Sequence, residues 1–351
     1  MSDYNGVAFF LGKMYPQHVG HEFVISCMMK KKYKKIIIMV CYNDTQHYDT
    51  EYMGDRLTHE DRLVAMQDFV EQHRWKLCPE TQIVIEFFDD SHMPTAEESD
   101  VAVSQAWAEM IHHRYDNLTD LYGSEEYVRY MAGFMEGVTP HVVDLQRVVN
   151  PVSGTKCRTN LIGNWDKLAH HYKEKLNYRI AIMGAESTGK STLARNTAYW
   201  NQGTCVMIPE QGRIHMTHPE LSKRDLELFA IRQYNQMQFA AVEKPISIID
   251  TTCITTEMFC PLYGIKSELV GELAMLENID LYVVLKPLVE FEQDGMRVMT
   301  EYETRQTLTN ALISRLECDH QNFIVIDESD PEKRMEIMNN IIKEAIETMS
   351  K

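Results

Sequence analysis

Short apolar runs recur along the chain, and each is followed by a longer stretch in which apolar residues return at helical spacing. In the first half these runs predict strands at 6–12, 35–41, 82–88, 118–122 and 141–145; a second set falls at 178–183, 204–208, 246–250, 280–285 and 323–326. The run from Gly6 to Gly12 is continuous rather than alternating, which suits a central parallel strand covered on both faces. Strand and helix in alternation predict an α/β protein of doubly wound parallel sheets. Between the two sets lies Trp165 to Asn177, a polar helical stretch that reads as a connector. No internal repeat and no low-complexity tract interrupts the pattern.

Two glycine-bearing turns stand where a predicted strand hands over to a helix. The second, Gly184-Ala-Glu186-Ser187-Thr188-Gly189-Lys190-Ser191, fits G-x-x-x-x-G-K-S/T without a mismatch, between the run Tyr178 to Met183 and a helix opening at Thr192. Its glycines let backbone N–H groups converge on phosphate oxygens, Lys190 adds a mobile positive charge, and Ser191 offers a hydroxyl to Mg2+. The first runs from Gly12 through Pro16 to His18-Val-Gly20-His21, after which Val19 to Met29 takes up helical spacing. Both imidazoles therefore sit at a helix start, where ring N–H groups and the helix dipole can face one anion. H-x-x-H also occurs at metal sites, but no third Cys/His cluster accompanies it.

Ligands of such sheets bind beyond the carboxyl ends of the strands. There Ser153, Gly154 and Thr155 would cap a helix and present N–H groups, with Lys156 and Arg158 on the following turn. Together with His18 and His21 they read as opposite walls of a triphosphate site.

Composition narrows the field. Of 351 residues 52 are acidic and 35 basic, a formal charge of −17 that argues against a nucleic-acid surface. The cluster Lys30 to Lys35 lies between a helix and an apolar run and reads as a solvated helix end. Eight cysteines form no C-x-x-C pair and suit reduced thiols in a cytoplasmic protein. No basic leader and no apolar stretch of membrane-spanning length is evident. Trp107 reads as core on a helix face, and the pairs His112-His113 and His170-His171 as surface.

The combination of G-x-x-x-P-x-H-x-G-H with S-G-T-x-x-R resembles the HxGH and ISxTxxR motifs of nucleotidylyltransferases. Followed by a P-loop kinase, with Gly123-Ser-Glu125-Glu126 late in the first domain, it is similar to the bifunctional nicotinamide mononucleotide adenylyltransferase and ribosylnicotinamide kinase of the NadR family. The resemblance covers nearly the whole chain. It implies an HxGH nucleotidylyltransferase domain at 1–170 and a P-loop kinase domain at 171–351. It further implies ATP and Mg2+ as cofactors and nicotinamide mononucleotide, ribosylnicotinamide and NAD as the small-molecule partners, with no nucleic acid or membrane and with room for a homo-oligomer. His18, His21, Lys13, Ser153, Thr155 and Arg158 would hold the triphosphate, with Gly12, Gly20 and Gly154 in the turns around it. Asp44, after the second strand, would touch ligand or metal or else cap a helix.

Further matches are Glu210-Gln-Gly-Arg213, Asp250-Thr251-Thr252 and Asp294-Gly-Met-Arg297. A ribose hydroxyl is a poor nucleophile, so a kinase needs a carboxylate to orient or accept its proton. Glu210 and Asp250, each at the carboxyl end of an apolar run, are the two candidates; Glu210 is favoured as substrate contact or base and Asp250, with Ser191, as the Mg2+ ligand. Arg213 would bind substrate, and Arg297 with Arg305 would close over the transferring phosphate. The chain departs from the family in two places. Its first strand begins within a few residues of Met1, so no N-terminal helix-turn-helix and no DNA repression are expected; and Thr252 stands where the family often carries a second aspartate. Two other readings stay open: an adenylyltransferase fused to another small-molecule kinase, as in coenzyme A synthesis, and a nucleotide-sensing regulator with little turnover.

Overall fold

The computed structural model describes residues 6–43, 50–94, 101–218, 220–289, 291–292 and 299–351. Two compact units emerge, Met1–Lys175 with Ser350–Lys351, and Leu176–Met349.

In the first unit β1 (Val7–Gly12), β2 (Lys35–Tyr42), β3 (Gln82–Asp89), β4 (Asp120–Gly123) and β5 (Thr139–Val142) form a parallel sheet in the order β3-β2-β1-β4-β5. Successive side chains of one strand enter different cores. Ala8 and Phe10 join Ile36, Ile38 and Val40 on one face, while Val7, Phe9 and Leu11 join Ile37, Met39 and Cys41 on the other. Burial on both faces is why these strands are continuously apolar. The winding reverses between β1 and β4, so the crossover chains leave in opposite directions and a crevice opens beyond the carboxyl end of β1.

The second unit repeats the architecture with another strand order. β6 (Tyr178–Met183), β7 (Cys205–Ile208), β8 (Ile246–Asp250), β9 (Leu281–Leu285) and β10 (Phe323–Ile326) are parallel and lie in the order β10-β9-β6-β8-β7. Ala181, Met183, Ile249, Tyr282 and Val284 pack on one side with Leu226, Phe229, Ala230 and Leu312, while Ile180, Ile182 and Ile248 are fully buried on the other. The fold is thus the expected pair of doubly wound parallel sheets.

Two details differ from the sequence reading. The last strand of the first sheet is Thr139–Val142 rather than 141–145. Asp144 and Arg147 adopt left-handed backbone angles (φ 55° and 52°), and the Asp144 carboxylate accepts the N–H groups of Val149 and Asn150 at 3.1 and 2.8 Å. A tight turn therefore replaces the end of the strand. His171 is also not a surface residue: its Nε2 lies 2.6 Å from Asp61, a buried carboxylate that also accepts the Thr58 N–H and is approached by Lys175 at 3.4 Å. Burial opposes ionisation of Asp61, but the His171 hydrogen bond and these neighbours outweigh it and hold the carboxyl at about 2.

All eight cysteines are free thiols, and no helix among the described residues is long and apolar enough to cross a membrane. Among the same residues no group of three or more His, Cys, Asp or Glu side chains is arranged to hold a metal.

One buried cation ties the first crevice to the core. Arg62 has no exposed surface, and its Nη1 donates to the carbonyls of Lys13 (3.3 Å) and Cys41 (3.1 Å), just beyond the carboxyl end of β1 and near that of β2. Its guanidinium also lies 4.6 Å from the Tyr15 ring centroid. Each carbonyl left without a donor would cost about 1–3 kcal/mol. Arg62→Met should therefore lower the stability of the first unit by about 3 kcal/mol in urea titration while leaving nucleotide binding to the second unit intact. A loss below about 1 kcal/mol would show that both carbonyls find other donors.

Candidate functional site

The first site is built on the turn from β1 into the helix Val19–Met29. His18 is the N-cap in extended backbone, and the turn closes as a capping box: the His18 Nδ1 accepts the Gly20 N–H at 3.1 Å and the His21 Nδ1 accepts the His18 N–H at 3.4 Å. Both rings thus use Nδ1 as an acceptor, so in the neutral form the proton of each is on Nε2. The rings stack with centroids 3.9 Å apart. Gly20 makes room for this, because a Cβ there would stand 2.9 Å from the His18 ring.

The electrostatics follow from the packing. Burial first, then the Arg147 charge, lowers the His18 pKa from 6.5 to about 4. His21 is held well below the usual range by burial, by His18 and by Arg147. At neutral pH the pair is uncharged.

Opposite the histidines stands the short helix Gly154–Thr159, capped by the Ser153 hydroxyl, which accepts the Lys156 N–H at 3.2 Å. Arg158 reaches across, donating from Nη1 to the Tyr15 carbonyl (2.5 Å) and from Nη2 to the Thr155 hydroxyl (3.4 Å), with its guanidinium 4.4 Å from the Tyr15 ring centroid. His18, Lys13 and Gly12 lie on the first loop, and Ser153, Gly154, Thr155 and Arg158 meet it through Tyr15. Met14, in the same loop, takes a left-handed φ of 47° and its carbonyl accepts the Tyr172 hydroxyl at 2.9 Å. Asp44 lies outside the described residues.

Two residues here escaped the sequence reading. Arg147 shifts both histidines and pairs with Glu125 at 2.8 Å; its signal was a cation on the turn just past a strand end. Asp90, one residue past β3, is buried. Burial raises its pKa, and the Lys13 and Arg62 charges pull it back.

The second site is the loop between β6 and the helix Lys190–Trp200. Gly184 has a φ of 143°, and a Cβ there would meet the Leu285 carbonyl at 2.7 Å, so the loop can pass over the end of β9 only with glycine at this point. Ser187 and Gly189 are also left-handed (φ 56° and 88°), which turns the loop around its own N–H groups. Lys190 Nζ donates to the Ala185 carbonyl at 2.8 Å. The flanks of the segment that contains Arg297 are tied to this loop: the Glu292 N–H donates to the Ser187 hydroxyl and the Met299 N–H to the Glu186 carboxylate, each at 2.8 Å. Arg297 itself lies outside the described residues.

An open cavity of about 380 Å³ lies over the loop, lined by residues 186–192 with Gly184, Glu210, Arg213 and Thr251. Arg334, from the last helix, lines it as well; its Nη1 donates to the Thr188 carbonyl at 2.7 Å, a contact that sequence separation concealed. A second cavity continues from the first. Glu186, Glu210, Met216, Thr251, Thr255 and Phe259 line both.

Asp250 ends β8 and is buried, which raises its pKa; the charge of Lys190 and the Ser191 hydroxyl counter that rise. Its Oδ1 has no hydrogen-bond partner among the described residues. Burial also raises Glu210, against the Lys190 and Arg213 charges and with those of Asp250 and Glu186. Thr251, next to Asp250 in sequence and lining both cavities with Glu210, has a φ of 72°, a strained conformation for a β-branched residue. Arg305 is buried and lies 5.4 Å from the Phe291 ring centroid; it lines neither cavity.

Strand, glycine-rich loop and helix, with the lysine and hydroxyl in register, define the second unit as a P-loop nucleotide-binding domain, and the AAA domain family model matches residues 179–334. Across nearly its whole length the chain is similar to the trifunctional NAD biosynthesis/regulator protein NadR of Salmonella typhimurium, at 26% identity covering 97% of this chain and 82% of the relative. The Escherichia coli protein of the same name is 26% identical, covering 94% and 80%. A crystal structure of a NadR protein with NAD and AMP-PNP superposes with a TM-score of 0.62 at 18% identity, covering 97% of this chain and 96% of that one. One with NR superposes at 0.63. The resemblance to the NadR family that the motifs carry is thereby borne out.

Neutral histidines make stability sensitive to acid. The unfolded chain takes up protons near 6.5 and the folded His18 only near 4, so stability present above pH 6.5 is lost as the pH falls through that window. His18→Asn keeps an N-cap acceptor but does not titrate. The melting temperature of the wild-type protein should fall more steeply than that of His18→Asn between these pH values; parallel curves would contradict a neutral, buried His18.

Proposed function

We propose that the chain makes NAD in two steps, phosphorylating ribosylnicotinamide in the second unit and adenylylating the resulting mononucleotide in the first. The observation that carries this reading is the presence of two separate polyphosphate grips, one per unit, in a chain similar to NadR along its length.

In adenylyl transfer an oxygen of the nicotinamide mononucleotide phosphate bonds to the α-phosphorus of ATP, and the bond to pyrophosphate breaks. The nucleophile is already ionised, so no general base is required. The work is alignment and charge stabilisation. The two Nε2–H groups would donate to triphosphate oxygens, and because the imidazoles are neutral no like charges are stacked at the helix start. Lys13, Arg147 and Arg158 supply the positive charge, and Ser153, Gly154 and Thr155 would supply N–H groups at the other wall.

In the kinase step the ribose 5′-hydroxyl bonds to the γ-phosphorus, the bond to ADP breaks, and the hydroxyl proton passes to a carboxylate. Glu210 suits that role because it lines both cavities, at their junction. Asp250 and Ser191 offer hard oxygen donors, one of them a carboxylate oxygen with no hydrogen-bond partner among the described residues, which fits Mg2+ held mainly through ATP phosphates. Bound there, the ion would neutralise charge on the phosphates. Lys190 would leave the Ala185 carbonyl for the β- and γ-phosphates, and Arg213 faces the same cavity.

Mass spectrometry of the protein with ATP, Mg2+ and either nicotinamide mononucleotide or ribosylnicotinamide tests the reading directly. NAD should form from both; NAD from the mononucleotide alone would remove the kinase assignment. Lys190→Ala should lower phosphorylation about a hundredfold or more and spare adenylylation, and His21→Ala should do the reverse. Equal loss of both activities in either variant would contradict independent sites.

The raised pKa of Glu210 gives a second test. A base must be ionised to accept a proton, so kinase kcat/KM should rise with pH along a limb above the ordinary carboxylate range, and Glu210→Gln should abolish the limb with the rate. A limb unchanged in Glu210→Gln would move the role to Asp250.

A further inference from the structure

The second cavity extends past the residues it shares with the nucleotide cavity. Besides the shared residues it is lined by the apolar and aromatic side chains of Leu221, Leu226, Phe229 and Tyr263 and by the polar ones of Thr256 and Gln233. Gln233 lies on the helix Lys223–Ala240 and is 3% exposed. Its Oε1 accepts the Gln211 N–H at 2.9 Å. A backbone N–H can only donate, so this bond fixes which way the amide faces. The Nε2 group is left buried with no hydrogen-bond partner among the described residues.

A buried, unsatisfied donor costs free energy, and a ligand that brings an acceptor to it recovers that cost. The carboxylates of Glu186 and Glu210, which line the same cavity, favour a cationic ring over an anionic one. The lining groups thus offer a carboxylate for a hydroxyl at Glu210, Phe229 and Tyr263 for a flat ring, and an amide donor for a carbonyl at Gln233. We infer that Gln233 is a specificity-determining residue of the kinase half, donating from Nε2 to a carbonyl oxygen carried by the heteroaromatic ring of the acceptor nucleoside.

The inference rests on the kinase reading above and goes beyond it, because it assigns the group that recognises the ring substituent. The test compares ribosylnicotinamide with N-ribosylpyridinium, which has the same charge and ring but no carbonyl. In the wild-type protein kcat/KM should be roughly tenfold or more higher for ribosylnicotinamide, the cost of leaving one buried donor unpaired. In Gln233→Leu the two nucleosides should come within about twofold of each other, with KM for ATP unchanged.

Gln233→Glu, assayed at a pH where its carboxyl is ionised, provides a second variant that keeps an acceptor for the Gln211 N–H but has no donor; it too should lose the preference. Binding of a fluorescent ATP analogue verifies that each variant retains the P-loop fold. Should Gln233→Leu fail that control, Gln233→Glu decides. Wild-type protein that phosphorylates both nucleosides equally, or a folded variant that retains the full preference, overturns the role of Gln233 and leaves the kinase reading standing. Wild-type protein that phosphorylates neither overturns both.

Discussion

The first turn of a helix carries N–H groups that no carbonyl of that helix can reach, and a strand that ends directly before it leaves little chain to satisfy them. Both candidate sites are solutions of this one constraint. In the first, two imidazoles close a capping box over the turn and keep their remaining N–H groups for something else. In the second, glycine and left-handed residues curl the loop so that its own N–H groups face one space. Each loop holds a non-glycine residue at positive φ, Met14 and Ser187, and each is fixed from outside. Tyr172 holds the Met14 carbonyl, and the Ser187 hydroxyl receives the Glu292 N–H. Strain at these positions persists because neighbours over-determine it.

The sites also share an electrostatic plan that net charge conceals. With 52 acidic and 35 basic residues, the chain as a whole repels polyphosphates. Around each grip, however, the local charges are arranged against that trend. Burial keeps His18 and His21 uncharged while Arg147 supplies the cation nearby, and burial raises Glu210 and Asp250 beside Lys190. Groups whose ionisation is disfavoured in the free protein respond most when a charged ligand arrives.

How much of this was legible depended on whether the signal was local. The central strands β1, β2, β6, β8 and β9 could be read because burial on both faces forces unbroken apolar runs, and the phosphate loop because its residues are adjacent in sequence. The contact between Tyr15 and Arg158 spans 143 positions and is not foreseen by the sequence, although the elements that carry it, the His18/His21 turn and the segment 153–158, read there as facing walls. What could not be read were residues whose role comes only from folding. Arg62 looks like any helical arginine until its burial beneath the Lys13 and Cys41 carbonyls is seen. Arg334 reaches the phosphate loop from 146 residues away. The fifth strand was misplaced because the carboxylate of Asp144, by capping Val149 and Asn150, turns a sequence that reads as extended.

The same distinction bears on Thr252, where the family resemblance suggests a second aspartate. Thr252 is the N-cap of the helix Cys253–Phe259, yet it is fully buried and its side chain makes no capping bond. The cap comes from elsewhere: the carboxylate of Glu277 accepts the N–H of Cys253 and, at 3.4 Å, that of Ile254. Burial pushes Glu277 up to about 7 against the pull of those bonds. An aspartate at 252 would compete for the same N–H groups and set a second carboxylate beside a group already reluctant to ionise. Threonine at this position and glutamate at 277 are therefore one arrangement rather than a loss. Glu277 lines neither cavity, and its carboxylate serves the helix; Glu210, the proposed proton acceptor, lines both cavities, while Asp250 is buried at the end of β8 within reach of the Lys190 charge and the Ser191 hydroxyl.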